Sequence, residues 1–215
     1  MAVAFDATAN ANGNGVTSLS FSHTCTGSDL CLVVGSGSSS PGTITALTYA
    51  GAALTLIGAL TSSNTFQRVE QWRRIAPATG ANTVAVTYDV ANQCVAGSIS
   101  FTGVDQATPV AGYASATGLS TTPSVTVTSA VGNMVVDATV IDDGTAVTPG
   151  AGQTERWDVQ AGAIGVRGSG STEAGAVSVV MDWTSLSVDW TTNGCSVQAA
   201  ANVRPRTLTT LGVGV

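Results

Sequence analysis

NQCVAGSISFTGV, residues 92–104, decides how the rest of the chain is read. It reads as a buried β-strand, opened by Cys94 and closed by a Gly-Val turn. A near-equivalent, NGCSVQAAANVRP, recurs at residues 193–205. The two mark the closing strands of two similar halves. The stretches just before them also match: ATGANTVAVTY from Ala78 aligns with EAGAVSVVMDW from Glu173. Gly80 then meets Gly175, Val84 meets Val179, Val86 meets Met181 and Tyr88 meets Trp183. If the halves pack with their closing strands side by side, Cys94 and Cys195 come within disulfide reach, with Cα atoms under about 7 Å apart.

The rest of the chain supports an all-β reading. Its 215 residues suffice for one large sandwich or barrel. Hydrophobic residues make up 44% and charged residues 9%, with 25 glycines. That mixture is too apolar for disorder and too interrupted for a coiled coil. No apolar run approaches the roughly 18–20 residues of a spanning helix, and residues 1–13 carry no signal-peptide pattern. All seven basic residues are arginine, and the net charge of −6 argues against a sequence-independent nucleic-acid binder.

Short apolar or alternating runs recur, separated by turn signals. Strands are expected at 2–5, 16–25, 30–35, 44–49, 54–60, 66–76 and 83–88 in the first half. In the second half they are expected at 124–128, 134–141 and 153–159, before the match to the closing strands. ATANANGNG after Phe5, GSGSSSPG and VRGSGS read as loops. No sustained 3.6-residue period with caps occurs, so helix content is expected to be minimal. The fold expected is a two-sheet antiparallel β-sandwich of jelly-roll type. It occupies residues 1–205, in halves of about 1–104 and 105–205, with a tail at 206–215.

Candidate chemistry is sparse. His23 is the single histidine and stands on an alternating strand beside Cys25, without a Ser-His-Asp or Cys-His pattern. Cys25, Cys31, Cys94 and Cys195 are candidates for disulfides, the plain alternative being four buried thiols. A glycosidase would need two carboxyls about 5–10 Å apart. Glu70, Glu155, Glu173, Asp137, Asp142, Asp143, Asp158, Asp182 and Asp189 are the candidates, with Trp72, Trp157, Trp183 and Trp190 as platforms. Asp142-Asp143-Gly144 and Asp105 lie in acidic turns, where Ca²⁺ is the candidate ion, although no DxDxDG pattern is present. Arg68, Arg73 and Arg74 form the one basic cluster before the tail, read as a charged sheet edge. In the tail, Leu208, Leu211, Val213 and Val215 alternate and could add a strand to a neighbouring molecule as an assembly arm. No catalytic residue is assigned and no cofactor is expected.

The order of local signals resembles the jelly-roll domains of bacteriophage virion proteins, decoration and fibre proteins among them. The elements that carry this are 32–35 (LVVG), 49–54 (YAGAAL), Glu70-x-Trp72, 76–80 (APATG) and 101–109 (FTGVDQATP). Similar domains occur in secreted bacterial proteins. The resemblance covers roughly 5–205. It implies a sandwich fold and a non-enzymatic structural role in a virion, foremost as a capsid decoration protein in a multi-copy assembly with other virion or capsid subunits. The four cysteines depart from the pattern. The alternative is a secreted carbohydrate-binding or adhesive module, which would need exposed Trp72, Trp157 or Trp190. Neither role involves nucleic acid or a membrane.

Overall fold

The computed structural model describes residues 1–39, 42–163 and 165–201, so the tail carrying Leu208, Leu211, Val213 and Val215 lies outside the described residues. The described residues form fifteen β-strands and no helix. In the first half these are β1 (Ala4–Cys25), β2 (Cys31–Ser39), β3 (Ile44–Tyr49), β4 (Ala52–Ala53), β5 (Thr55–Thr61), β6 (Gln67–Ile75) and β7 (Gly80–Thr102). The second half holds β8 (Val110–Ser120), β9 (Ser124–Thr128), β10 (Met134–Ile141), β11 (Thr148–Pro149), β12 (Thr154–Gln160), β13 (Arg167–Ala174), β14 (Ser178–Thr184) and β15 (Val188–Val197). All pairings are antiparallel.

Three hydrogen-bonded sheets form where two were expected. The difference comes from β1 and β7, which pair along nearly their whole length and carry the first sheet round into a nearly closed, barrel-like shape. Along its other edge β7 pairs first with β3 and then with β2. Register shifts between Gly13 and Ser18 divide β1 into two limbs. With the limbs of β1 and β7 counted separately and the two-residue β4 set aside, the first half has eight successive strands. They lie in the orders 5-6-3-8-1 and 4-7-2. The second half, β12-β13-β10-β15-β8 with β11-β14-β9, has the same two orders. The halves therefore repeat strand for strand; what is one bent strand in the first half is two separate strands in the second.

The two larger layers face each other reciprocally. β1 lies against β12 and β5 against β8; β6 meets β15 and β13 meets β7; β2 meets β10. Each contact has its counterpart with the halves exchanged, which is the pattern of an isologous interface within one chain. Between the layers sits a shared core that includes Val33, Val69, Ile99, Phe101, Val136, Val140 and Trp157. The barrel-like sheet encloses a second core around Leu32, Leu47, Tyr49, Val84 and Val86. The three-stranded sheet covers the far side of the second half through Val125, Val127, Met181 and Trp183.

Several expectations are corrected here. ATANANGNG is strand, since residues 7–13 alternate Ala or Gly with Thr or Asn and lie in register on 94–100 of β7. GSGSS continues β2 to Ser39, and VRGSGS supplies most of β13, because glycines there leave room for the Trp157 ring. Cys25, Cys31, Cys94 and Cys195 are free and buried. Cys94 packs in the barrel core and Cys195 between the layers, so the expected Cys94–Cys195 bridge is not formed. Register explains this. Cys94 pairs with Ser38 whereas Cys195 pairs with Val136, the counterpart of Val33, so Cys195 is equivalent to Ile99. The Asn-x-Cys match was five residues out of step. The Val84–Val179, Val86–Met181 and Tyr88–Trp183 matches fall on equivalent buried positions of β7 and β14.

Trp157 ties the layers together. Its ring belongs to β12, yet a Cβ added at Gly97 of β7 would overlap it, as would one at Gly170 of β13; a Cβ at Gly35 of β2 would stand 3.3 Å from Cζ2. Trp157→Ala should lower stability by about 3–5 kcal/mol in urea unfolding. Gly97→Ala should destabilise by about 1–3 kcal/mol through overpacking. Combined, the two should cost less than their sum, because the first removes the ring that the second strikes.

Candidate functional site

Two polar constellations lie inside the sheets. The first is built by β1 and the closing limb of β7, where Ser98 and Ser100 alternate with Ile99 and Phe101. That alternation turns two hydroxyls toward His23 on the facing limb. Ser98 Oγ lies 2.8 Å from His23 Nδ1 and Ser100 Oγ lies 2.9 Å from Nε2. Ser100 donates on to Asp6 Oδ2 at 2.7 Å, and Thr26 donates to the same carboxylate through both N and Oγ1. Tyr49 meets the imidazole edge-on with centroids 6.2 Å apart. The chain thus runs Asp6–Ser100–His23–Ser98, with a serine between the acid and the histidine. His23 and both serines are buried. Burial drives His23 down to about 4, against a smaller upward pull from Asp6, so the ring is neutral at pH 7. This arrangement holds strands together; it presents no nucleophile to solvent.

The second constellation centres on Asp137 of β10. Its Oδ1 accepts from Ser171 N at 2.6 Å and Ser171 Oγ at 2.8 Å, and its Oδ2 from Trp183 Nε1 at 2.6 Å. A carboxylate thereby links β10, β13 and the outer β14. Complete burial pushes Asp137 up to about 6, although the Trp183 and Ser171 hydrogen bonds favour its charged form.

The other carboxylates named from the sequence are held by local partners or lie beside one another. Glu70 is buried and accepts from Arg68 Nε, Trp72 Nε1 and Ile44 N. Asp158 is taken by Arg167 and Ser169. Asp143 and Asp105 accept from the backbone two and three residues on, as turn-forming side chains do. Asp142 and Asp189 meet through backbone only, Asp142 N donating to Asp189 O. Burial and then neighbouring carboxylates raise Glu155, beside Asp158, and Glu173, beside Asp182. Among the described residues no group of three or more His, Cys, Asp or Glu is placed to hold a metal ion. The thiols are equally inert: burial raises Cys31 and Cys94 to about 12 and Cys195 higher still, so none is a thiolate at pH 7.

Nor do the tryptophans make a sugar platform. Trp157, Trp183 and Trp190 are buried, and half-buried Trp72 is bound to Glu70. A cleft of about 290 Å³ lies elsewhere, between β5, β6 and the start of β8, where Arg73 stands among Leu56, Ile57, Val110 and Tyr113. The arginine cluster named from the sequence splits here. Arg68 and Arg74 have hydrogen-bond partners, in Glu70 and Thr61 and in the Ala53 carbonyl, while Arg73 faces the cleft. Sequence reasoning missed Asp6, Ser98, Ser100 and Tyr113 as site residues. The serine alternation inside an apolar strand was the available signal for the middle two, since buried hydroxyls demand partners.

Comparison with known proteins returned no matching family model, no matching curated protein and no matching solved structure.

His23 and Asp137 pull stability in opposite directions over the same pH range. The depressed His23 contributes stability that is present above about pH 6.5 and lost as pH falls through about 4. The raised Asp137 does the reverse: its protonated form is favoured in the fold, so stability present below about pH 4 is lost as pH rises through about 6. Each amounts to about 3 kcal/mol, so the wild-type profile is partly flattened. Asp137→Asn should leave stability rising more steeply from pH 4 to 6.5, and His23→Gln should leave it falling, in urea midpoints measured across that range.

Proposed function

We propose that this chain is a non-enzymatic structural protein of a bacteriophage virion, a capsid decoration protein that acts through packing against other virion subunits. We read each half as a jelly roll, the two fused through their larger layers. The orders 5-6-3-8-1 and 4-7-2 keep the two interleaved Greek keys of that fold, with strand 5 on the larger layer.

One observation carries the assembly reading. The exposed apolar side chains are unevenly shared between the two outer sheets. On and around β9 and β14, Val131 is 90% exposed and Val177 82%, with Leu119, Val180 and Leu186 also in solvent. The equivalent face of the first half, on the second limb of β1 and the first limb of β7, turns Ser18, Ser20, Ser22, Thr83 and Thr87 outward. An apolar face at one end and a hydroxyl-coated face at the other suit a block that seats one end on a shell and displays the other. The sealed His23 chain and fully bonded Asp137 support a role in rigidity rather than turnover.

Virion fractions from the culture that makes this chain, imaged by cryo-electron microscopy, should show it as a periodic outer layer with the β9–β14 sheet against the shell. Val177→Asp with Val180→Asp should leave particles bare while changing the stability of the free chain by only about 0.5 kcal/mol per site. Virions that contain no copies of the chain by mass spectrometry would overturn the reading.

A further inference from the structure

The reciprocal packing of the halves creates two equivalent places at the seam, and they carry different side chains. In the second half β12 bulges against β13 between Glu155 and Trp157; in the first, β5 bulges against β6 between Leu56 and Gly58. Thr154 pairs with Thr172 and Thr55 with Arg73, so Arg156 is the counterpart of Ile57, Trp157 of Gly58, and Thr172 of Arg73. Arg156 is held by its neighbours. Its guanidinium lies 3.8 Å over the Phe5 ring and donates from Nε to Thr172 Oγ1 at 2.8 Å.

Around Ile57 the parts are rearranged. The guanidinium now comes from Arg73 of β6, and the ring from Tyr113 of β8. Gly58, where the other half has a tryptophan, is what admits that ring, since a Cβ there would overlap it. The cleft of about 290 Å³ remains open. Of the five described arginines, Arg73 alone has no hydrogen-bond or ion-pair partner; Arg68, Arg74, Arg156 and Arg167 are all engaged. No acidic side chain lines the cleft to neutralise it.

We propose that this cleft binds a small organic carboxylate with a flat apolar body, the carboxylate on Arg73 and the body against Leu56, Ile57, Val110 and the Tyr113 ring. A guanidinium presents parallel N–H donors that match a carboxylate in two-point contact. Its half-buried position among apolar walls strengthens that contact relative to open water. The volume lies at the small end of ligand pockets, about 300–1,000 Å³, which selects a ligand of one ring. The site borders the β9–β14 sheet at Gly112, which packs on Thr128, but no residue of that sheet lines it, and it stands or falls separately from the assembly reading.

Benzoate is the probe, with benzamide as its uncharged counterpart, in a ¹⁵N chemical-shift titration of the whole chain. Benzoate should give saturable shifts centred on residues 55–58, 73 and 110–113, and benzamide should bind at least tenfold more weakly. Arg73→Gln should weaken benzoate at least tenfold with the remaining spectrum unchanged. Ile57→Trp, which fills the cleft without adding charge, should abolish binding and serves as the independent variant if Arg73→Gln does not fold. Absence of saturable shifts at these residues, equal binding of benzamide, or unaltered affinity in a folded variant would overturn the proposal.

Discussion

The indole of Trp157 occupies the gap where β12 meets β2, β7 and β13, and the backbone around it is glycine so that the ring fits. A large flat side chain pressed on bare backbone fixes both the spacing and the rotation of the two layers, because close-packed interiors tolerate little adjustment. The reciprocal contacts between the halves all depend on that spacing. So does the cleft at Arg73, which sits at the place where the first half has Gly58 in the position of this tryptophan.

Much of the fold was legible as strand periodicity. Runs such as 44–49, 124–128 and 134–141 carry enough Val, Leu, Ile and Met to announce themselves, and the structure has strands over those residues. The alignment of Val84, Val86 and Tyr88 with Val179, Met181 and Trp183 also held, because those side chains fill equivalent cores. What was missed lay in residues of small volume. Ala7, Ala9 and Ala11 alternate with Thr8, Asn10 and Asn12 as regularly as any strand, but small side chains give a weak hydropathy signal. The glycines of β13 read as loop residues for the same reason, although they are there for contact with a ring supplied by another strand.

The site was less legible than the fold, since its parts come together only through pairing at long range. His23 meets Ser98 and Ser100 seventy-five and seventy-seven residues away. Nothing local to Arg73 says that it differs from Arg74, beyond the alternation that sends adjacent side chains to opposite faces. The Asn-x-Cys motif misled for a related reason: two residues of identity outweighed the pairing register, which only the third strand of each half reveals. Buried hydroxyls and carboxylates were the better guide. Each such group needs a donor or acceptor, and following Asp137 to Ser171 and Trp183 leads directly from the middle layer to the outer sheet.

Joining two equivalent units in one polypeptide also changes what substitution can do. In a dimer of identical chains every replacement appears twice, once on each side of the axis, so a tryptophan that locks one side must have its twin on the other. Here the same position carries Trp157 in one unit and Gly58 in its counterpart, and the equivalent outer faces bear valine on one side and alanine or hydroxyls on the other. The covalent link releases the two sides from identity. One side can be given over to holding the molecule together, which leaves the other free to diverge.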